Sequence, residues 1–195
     1  MRFDDFRYLI LSDLYRIAGT DSRRAFLKHF FFGEAFTYNV WLRTACYLKR
    51  SGTLGRPLYV LAWLLLRRAK FRYGISISEH TKIGAGFYIG HFGAIIVSPQ
   101  AVIGRNCNIS QGVTIGRSNR GERAGVPTIG DNVYIAPGAK IIGGVRVGNN
   151  VAIGANAVVI SDIPDNSVAV GVPAKVRPGG SEGYVNRVDY DAVLR

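Results

Sequence analysis

The chain has only two cysteines among its 195 residues, Cys46 and Cys107. They are too few for a disulfide framework and fit no metal-ligand spacing, so a reducing, cytoplasmic compartment is the simple expectation. No apolar run with a small-residue cleavage site follows the Met-Arg-Phe-Asp-Asp start, so no secretory leader is expected. The hydrophobic run Leu58 to Leu66 has nine residues, against the roughly twenty needed to cross a bilayer. Charged residues make up 19% beside 48% hydrophobic ones, the reverse of the balance in disordered chains. Negative charge is the scarcest kind: 13 Asp+Glu against 25 Lys+Arg leave a net charge of +12. Such a chain suits anionic partners. No nucleic-acid-binding signature accompanies the basic residues, and no nucleic acid partner is expected.

Glycine, by contrast, is abundant at 24 residues. It weakens helix interiors and serves tight backbone corners, so a wholly helical protein is disfavoured. Residues 1–74 nevertheless read as a helical region. Asp4 and Asp5 can open a first helix ending before Gly19, and Asp21 or Ser22 can cap a second that stops near Gly33. A third spans Glu34 to Arg50, with Gly52 as a stop. Pro57 starts a fourth, running to about Tyr73. Its apolar run is followed at once by Arg67, Arg68, Lys70 and Arg72. Such a helix can be buried between subunits or can rest on an anionic membrane surface. Both readings stay open.

From Ile75 the grammar changes to a period of six. Ile77, Ile83 and Ile89 form one run, and Ile103, Ile109 and Ile115 a second. Ile129, Ile135, Ile141, Val147, Ile153 and Val159 form a third. Neither helix nor ordinary strand has this period, and fixed self-similarity signals a stacked parallel β-helix. Each flat side supplies one branched residue to the axis. A small residue such as Cys107, Val133 or Ala157 takes a narrower inward position, so Cys107 needs no reactive role. Two interruptions occur. Ile95 and Ile103 are eight apart, and Ile115 and Ile129 are fourteen apart. The second holds the basic stretch Arg117 to Val126, expected as an exposed loop on the working face.

Four motifs carry a resemblance. They are Ile89-Gly90-His91-Phe92-Gly93, Asn108-Ile109-Ser110-Gln111-Gly112, Pro127-Thr128-Ile129-Gly130-Asp131 with its continuation to Lys140, and the terminator Gly171-Val172-Pro173-Ala174-Lys175. Over residues 75–177 the chain resembles the serine acetyltransferase branch of the hexapeptide acyltransferases. The resemblance implies a mainly β fold, a left-handed parallel β-helix with an N-terminal α-helical region, and a tail from 178 to 195. It implies a homotrimer, or a pair of trimers, with acetyl-CoA as acyl-donor cosubstrate in the groove between prisms. No permanently bound cofactor or metal is implied. His91 is the implied general base, suited to taking a hydroxyl proton near neutral pH. Gly116, Ala136, Pro137, Ala155 and Lys175 match the CoA-contacting positions. Lys175 suits a phosphate, while Pro137 lacks a donor N–H.

The sequence departs from serine acetyltransferases at four positions. Gly90 replaces an Asp, Pro99 a Glu, Val126 a His and Ser76 an Asp. Without those acids a serine ammonium loses its expected partners. The pattern is closer to exopolysaccharide, colanic-acid-type O-acetyltransferases. The expected acceptor is therefore a sugar or lipid-linked glycan, met by Arg117, Arg120 and Arg123, at the inner membrane face. Serine O-acetyltransferase and a non-catalytic scaffold remain alternatives. A zinc-binding anhydrase on the same prism would need three His on neighbouring coils, and only His80 and His91 lie there.

Overall fold

The computed structural model describes residues 2–50, 52 and 55–194. Helices come first: α1 (Phe3–Ala18), α2 (Arg23–Phe32), α3 (Glu34–Lys49) and α4 (Arg56–Tyr73). Their ends follow the local chemistry. The Ser22 hydroxyl accepts from the Ala25 N–H at the start of α2. Gly19 and Gly74, both at positive φ, close α1 and α4, a conformation that glycine adopts without steric cost.

Short strands then wind into coils. The first coil holds β1 (Ile75–Ser76), β2 (Lys82–Ile83) and β3 (Tyr88–Ile89). The second holds β4 (Ile95–Val97), β5 (Val102–Ile103) and β6 (Asn108–Ile109). The third holds β7 (Thr114–Gly116), β8 (Thr128–Ile129) and β9 (Tyr134–Ile135), and the fourth β10 (Lys140–Ile142), β11 (Arg146–Val147) and β12 (Ala152–Ile153). β13 (Val158–Val159) and β14 (Ser167–Val170) begin a fifth; β15 (Lys175–Pro178) turns back, and α5 (Tyr190–Leu194) follows. Every third strand pairs in parallel, giving three sheets led by β1, β2 and β3. The molecule is a left-handed parallel β-helix behind a helical N-terminus.

The inward residues form the expected columns. Val97, Ile115, Ile141 and Val159 stack on one side, and Ile89, Ile109, Ile135 and Ile153 on another. These are buried, as are the narrower Cys107, Val133 and Ala157. Burial pushes the Cys107 thiol up to about 12, which keeps it protonated. One expectation needs correcting. The spacing of eight after Ile95 is no interruption, because β4 points both Ile95 and Val97 inward. Val97 pairs with Ile115 and restores the period to Ile103.

Glycine is essential at one corner. A Cβ on Gly130 would lie 2.7 Å from the Gly148 carbonyl oxygen, whereas one on Gly90 would meet nothing closer than 3.6 Å. Gly130→Ala is expected to cost about 1–3 kcal/mol through overpacking, and Gly90→Ala much less. Denaturant midpoints of the two variants check this contrast. At the same corner Asn106, Asn132, Asn150 and Asn166 sit at positive φ, which Asn tolerates. Each side-chain amide donates to the next, at 3.1, 3.0 and 3.0 Å.

The helices cap the first coil. Its upper backbone groups have no coil above them, and an unpaired strand edge is costly and adhesive. Helix side chains satisfy them instead. The Tyr38 hydroxyl donates to the Ile77 carbonyl and accepts from its N–H. Asn39 donates to the Phe87 carbonyl, and Arg43 to those of Ile83 and Gly84. Ser12 and Asp13 accept from the N–H groups of Gly86 and Phe87. Arg43 also grips Asp13, with Nε to Oδ2 at 3.0 Å and both side chains buried. Tyr38, Leu42, Ala62 and Leu66 join the prism interior in one core.

The tail folds back on its own chain. Tyr184 stacks on Tyr134 with centroids 4.9 Å apart, and the Asn108 amide donates to the Tyr184 carbonyl at 2.9 Å. Tyr190 is fully buried. Residues 181–194 thus strap the outer face of the β3–β6–β9 sheet.

Candidate active site

His91 follows β3 at the corner where the chain passes toward β4, and its ring is exposed. It opens on a cavity of about 230 Å³ whose lining includes His29, Gly33, Glu34, Tyr88 and Phe92. Three of these, His29, Gly33 and Glu34, come from the helical region, and sequence reasoning missed all three. Gly33 ends α2 and precedes α3, and its N–H donates to the His29 carbonyl at 2.9 Å. A Cβ there would lie 2.7 Å from that same oxygen. The glycine thus permits the tight turn that hangs His29 and Glu34 over the first coil. Among the described residues, no side chain hydrogen-bonds to the His91 ring.

The corner that bears His91 repeats in each coil. The Gly112 N–H donates to the Gly93 carbonyl, Gly138 to Gln111, and Asn156 to Pro137. His91, Pro137 and Ala155 therefore lie on one edge of the prism, with Ala136 at its shoulder. At the spacing between neighbouring strands, His91 and Ala155 stand about 14 Å apart along it. Lys175 opens β15 just past the same edge and is exposed. The Ala136 N–H is spent on the Ile153 carbonyl at 2.9 Å. The Ala155 N–H has no acceptor among the described residues, which makes it an open main-chain donor on this edge.

Gly116 lies elsewhere. It ends β7 at the next corner, from which residues 117–127 project. That excursion is a small hairpin closed by Ser118 and Gly125. Within one chain its arginines lie at a different corner from His91. Arg117 donates weakly to Gln100, Arg120 is exposed, and Arg123 is paired with Asp162 at 2.8 Å. The positions expected to be acidic hold none. Ser76 lines a groove under α4, and Pro99 is exposed.

Comparison with known proteins decides the kinship. The model for bacterial transferase hexapeptide (six repeats) matches residues 127–161. The serine acetyltransferase of Helicobacter pylori is 39% identical over 130 residues, covering 67% of this chain and 76% of that one. The chain belongs to the hexapeptide-repeat acyltransferase family. It is an acetyl-CoA-dependent acyltransferase. The serine acetyltransferase of Bacillus pumilus is 38% identical over 121 residues, of which the match spans 56% of that longer protein. Among solved structures, the Brucella abortus serine acetyltransferase in complex with coenzyme A superimposes with a TM-score of 0.76 at 25% identity, over 91% of this acyltransferase and 70% of that chain. The Neisseria gonorrhoeae serine acetyltransferase in complex with serine gives 0.72 at 32% identity, over 88% and 68%.

These findings overturn the sugar or lipid-linked glycan acceptor and the exopolysaccharide branch. The relatives of this acyltransferase are named for serine, and one of the solved structures holds it. Two physical features account for the difference. The repeats hold none of the expected acids, but Glu34 reaches the His91 cavity from α3. Of the loop arginines, Arg123 is held by Asp162 and is not free to meet an acceptor.

Proposed function

We propose that this chain is a serine O-acetyltransferase with His91 as its general base. One observation carries the reading: a carboxylate, Glu34, and an exposed imidazole, His91, share one cavity in a relative of serine acetyltransferases. The imidazole takes the serine hydroxyl proton as the oxygen attacks the acetyl thioester. The tetrahedral intermediate then collapses, and CoA leaves as a thiolate that recovers the proton from the imidazolium. The products are O-acetylserine and CoA. Glu34 pairs with the serine ammonium, a charge that needs a partner when it leaves water. The thioester arm lies along the edge past Ala136, Pro137 and Ala155, with Lys175 near a phosphate. A homotrimer brings the Gly116 corner and Arg117, Arg120 and Arg123 of a neighbour toward this edge.

The test is release of free thiol from acetyl-CoA, with serine and with nucleotide-sugars as acceptors. Serine-dependent release is expected. Glu34→Gln should raise the KM for serine about tenfold, in line with a lost charge-assisted pair, and leave the KM for acetyl-CoA unchanged. Absence of serine-dependent release would refute the reaction. An unchanged serine KM in the variant would refute the role of Glu34 alone.

A further inference from the structure

The outer side of α4 is unlike the rest of the surface. Ala62, Leu66 and Ala69 face the core. On the opposite side Val60, Leu64 and Phe71 fall on one helical stripe and are 52%, 49% and 78% exposed. Leu61 lies beside them, 55% exposed. Arg67 and Arg68 flank the stripe, one on each side, and both are exposed. The Arg67 guanidinium lies 5.7 Å from the Trp63 ring centroid and 5.9 Å from that of Phe71. It is thereby held along the apolar stripe rather than away from it. Arg56, Lys70 and Arg72 add further cations, and α4 contains no acidic residue.

From this placement we infer that α4 is a membrane-surface helix, which lays its stripe into an anionic lipid interface and sets its cations among the headgroups. The inference is independent of the acetyl acceptor. An apolar stripe edged by Arg and Lys is the arrangement by which helices lie in the interfacial plane, with the cations snorkelling to phosphate. No helix among the described residues is long and apolar enough to cross a membrane, so the contact is superficial. Charge decides against a second copy as the occupant. Two such helices packed across a two-fold axis would set like charges against each other without an acid on either α4. Anionic lipid supplies the missing counter-charge, and each cation near such a surface strengthens binding about fivefold.

The experiment is co-sedimentation of the full chain with phosphatidylcholine vesicles, with and without phosphatidylglycerol. Arg67→Glu/Arg68→Glu and Leu64→Glu/Phe71→Glu are run beside the native chain, with particle size followed by sedimentation velocity. The native chain should pellet with the anionic vesicles at least tenfold more strongly than with neutral ones, and high salt should release it. Each double variant should lose at least tenfold with its particle size unchanged. Equal binding to both vesicle types, no binding to either, or variants that bind as the native chain does would overturn the inference. So would variants that shrink the particle, since that would make this face a contact between copies.

Discussion

His91→Ala is expected to lower kcat by about 10²–10⁴-fold, the range associated with loss of a positioned acid–base group. The KM for acetyl-CoA should stay close to the native value, because the positions proposed to contact CoA do not include His91. Stability should not change much. The ring is exposed, and among the described residues no hydrogen bond ties it to the scaffold, so its removal leaves no buried group unpaired. The pairing of a large kcat loss with an unmoved thermal midpoint distinguishes a chemical role from a structural one. Steady-state thiol release and thermal unfolding measure the two quantities. A variant that keeps more than about a tenth of native kcat would exclude His91 as the base.

Arg43→Ala should be the most damaging single change to the scaffold, costing about 3–5 kcal/mol. Among the described residues its guanidinium is the one charge paired with the buried Asp13 carboxylate, and it also satisfies the Ile83 and Gly84 carbonyls. Burial pushes the Asp13 carboxyl up against the pull of Arg43. Truncating the arginine therefore leaves an uncompensated acid and two open carbonyls at the top of the prism. Denaturant unfolding at fixed protein concentration measures the loss. The double variant Asp13→Asn/Arg43→Ala should lose less than the sum of its parts, since removing both partners spares the orphaned charge. A loss below about 1 kcal/mol in Arg43→Ala would show that the pair contributes as little as a surface salt bridge.

That pair marks the limit of what the amino-acid sequence discloses. The prism was legible because a period of six with branched residues has one physical solution, and His91 stands out because it sits in a motif that resembles one with a known chemistry. The Asn ladder left a signal that could have been found. Asn106, Asn132, Asn150 and Asn166 each stand three positions after the inward residue of one side, at Ile103, Ile129, Val147 and Ile163. Asp13 and Arg43 left none. On an isolated helix they look like solvated residues, and only docking on the first coil shows that they are buried. Glu34 and His29 were hidden for the same reason. Their place over His91 depends on a turn at Gly33 and on tertiary packing, neither of which any repeat pattern encodes. The tail was equally silent, since the stacking of Tyr184 on Tyr134 joins residues fifty positions apart.

The two ends of the stack have a further consequence. A column of parallel coils is open-ended by nature, and an uncovered terminal coil would template the next molecule into a growing fibre. Here the upper terminus is occupied by Tyr38, Asn39 and Arg43. At the lower one β14 is met by β15 running the other way, and β15 carries Lys175, Arg177 and Pro178. A strand of reversed direction, ending in a residue without an amide hydrogen, is a poor template for a further parallel coil on that side. Lengthwise growth is thereby disfavoured at the upper terminus and along this sheet at the lower one.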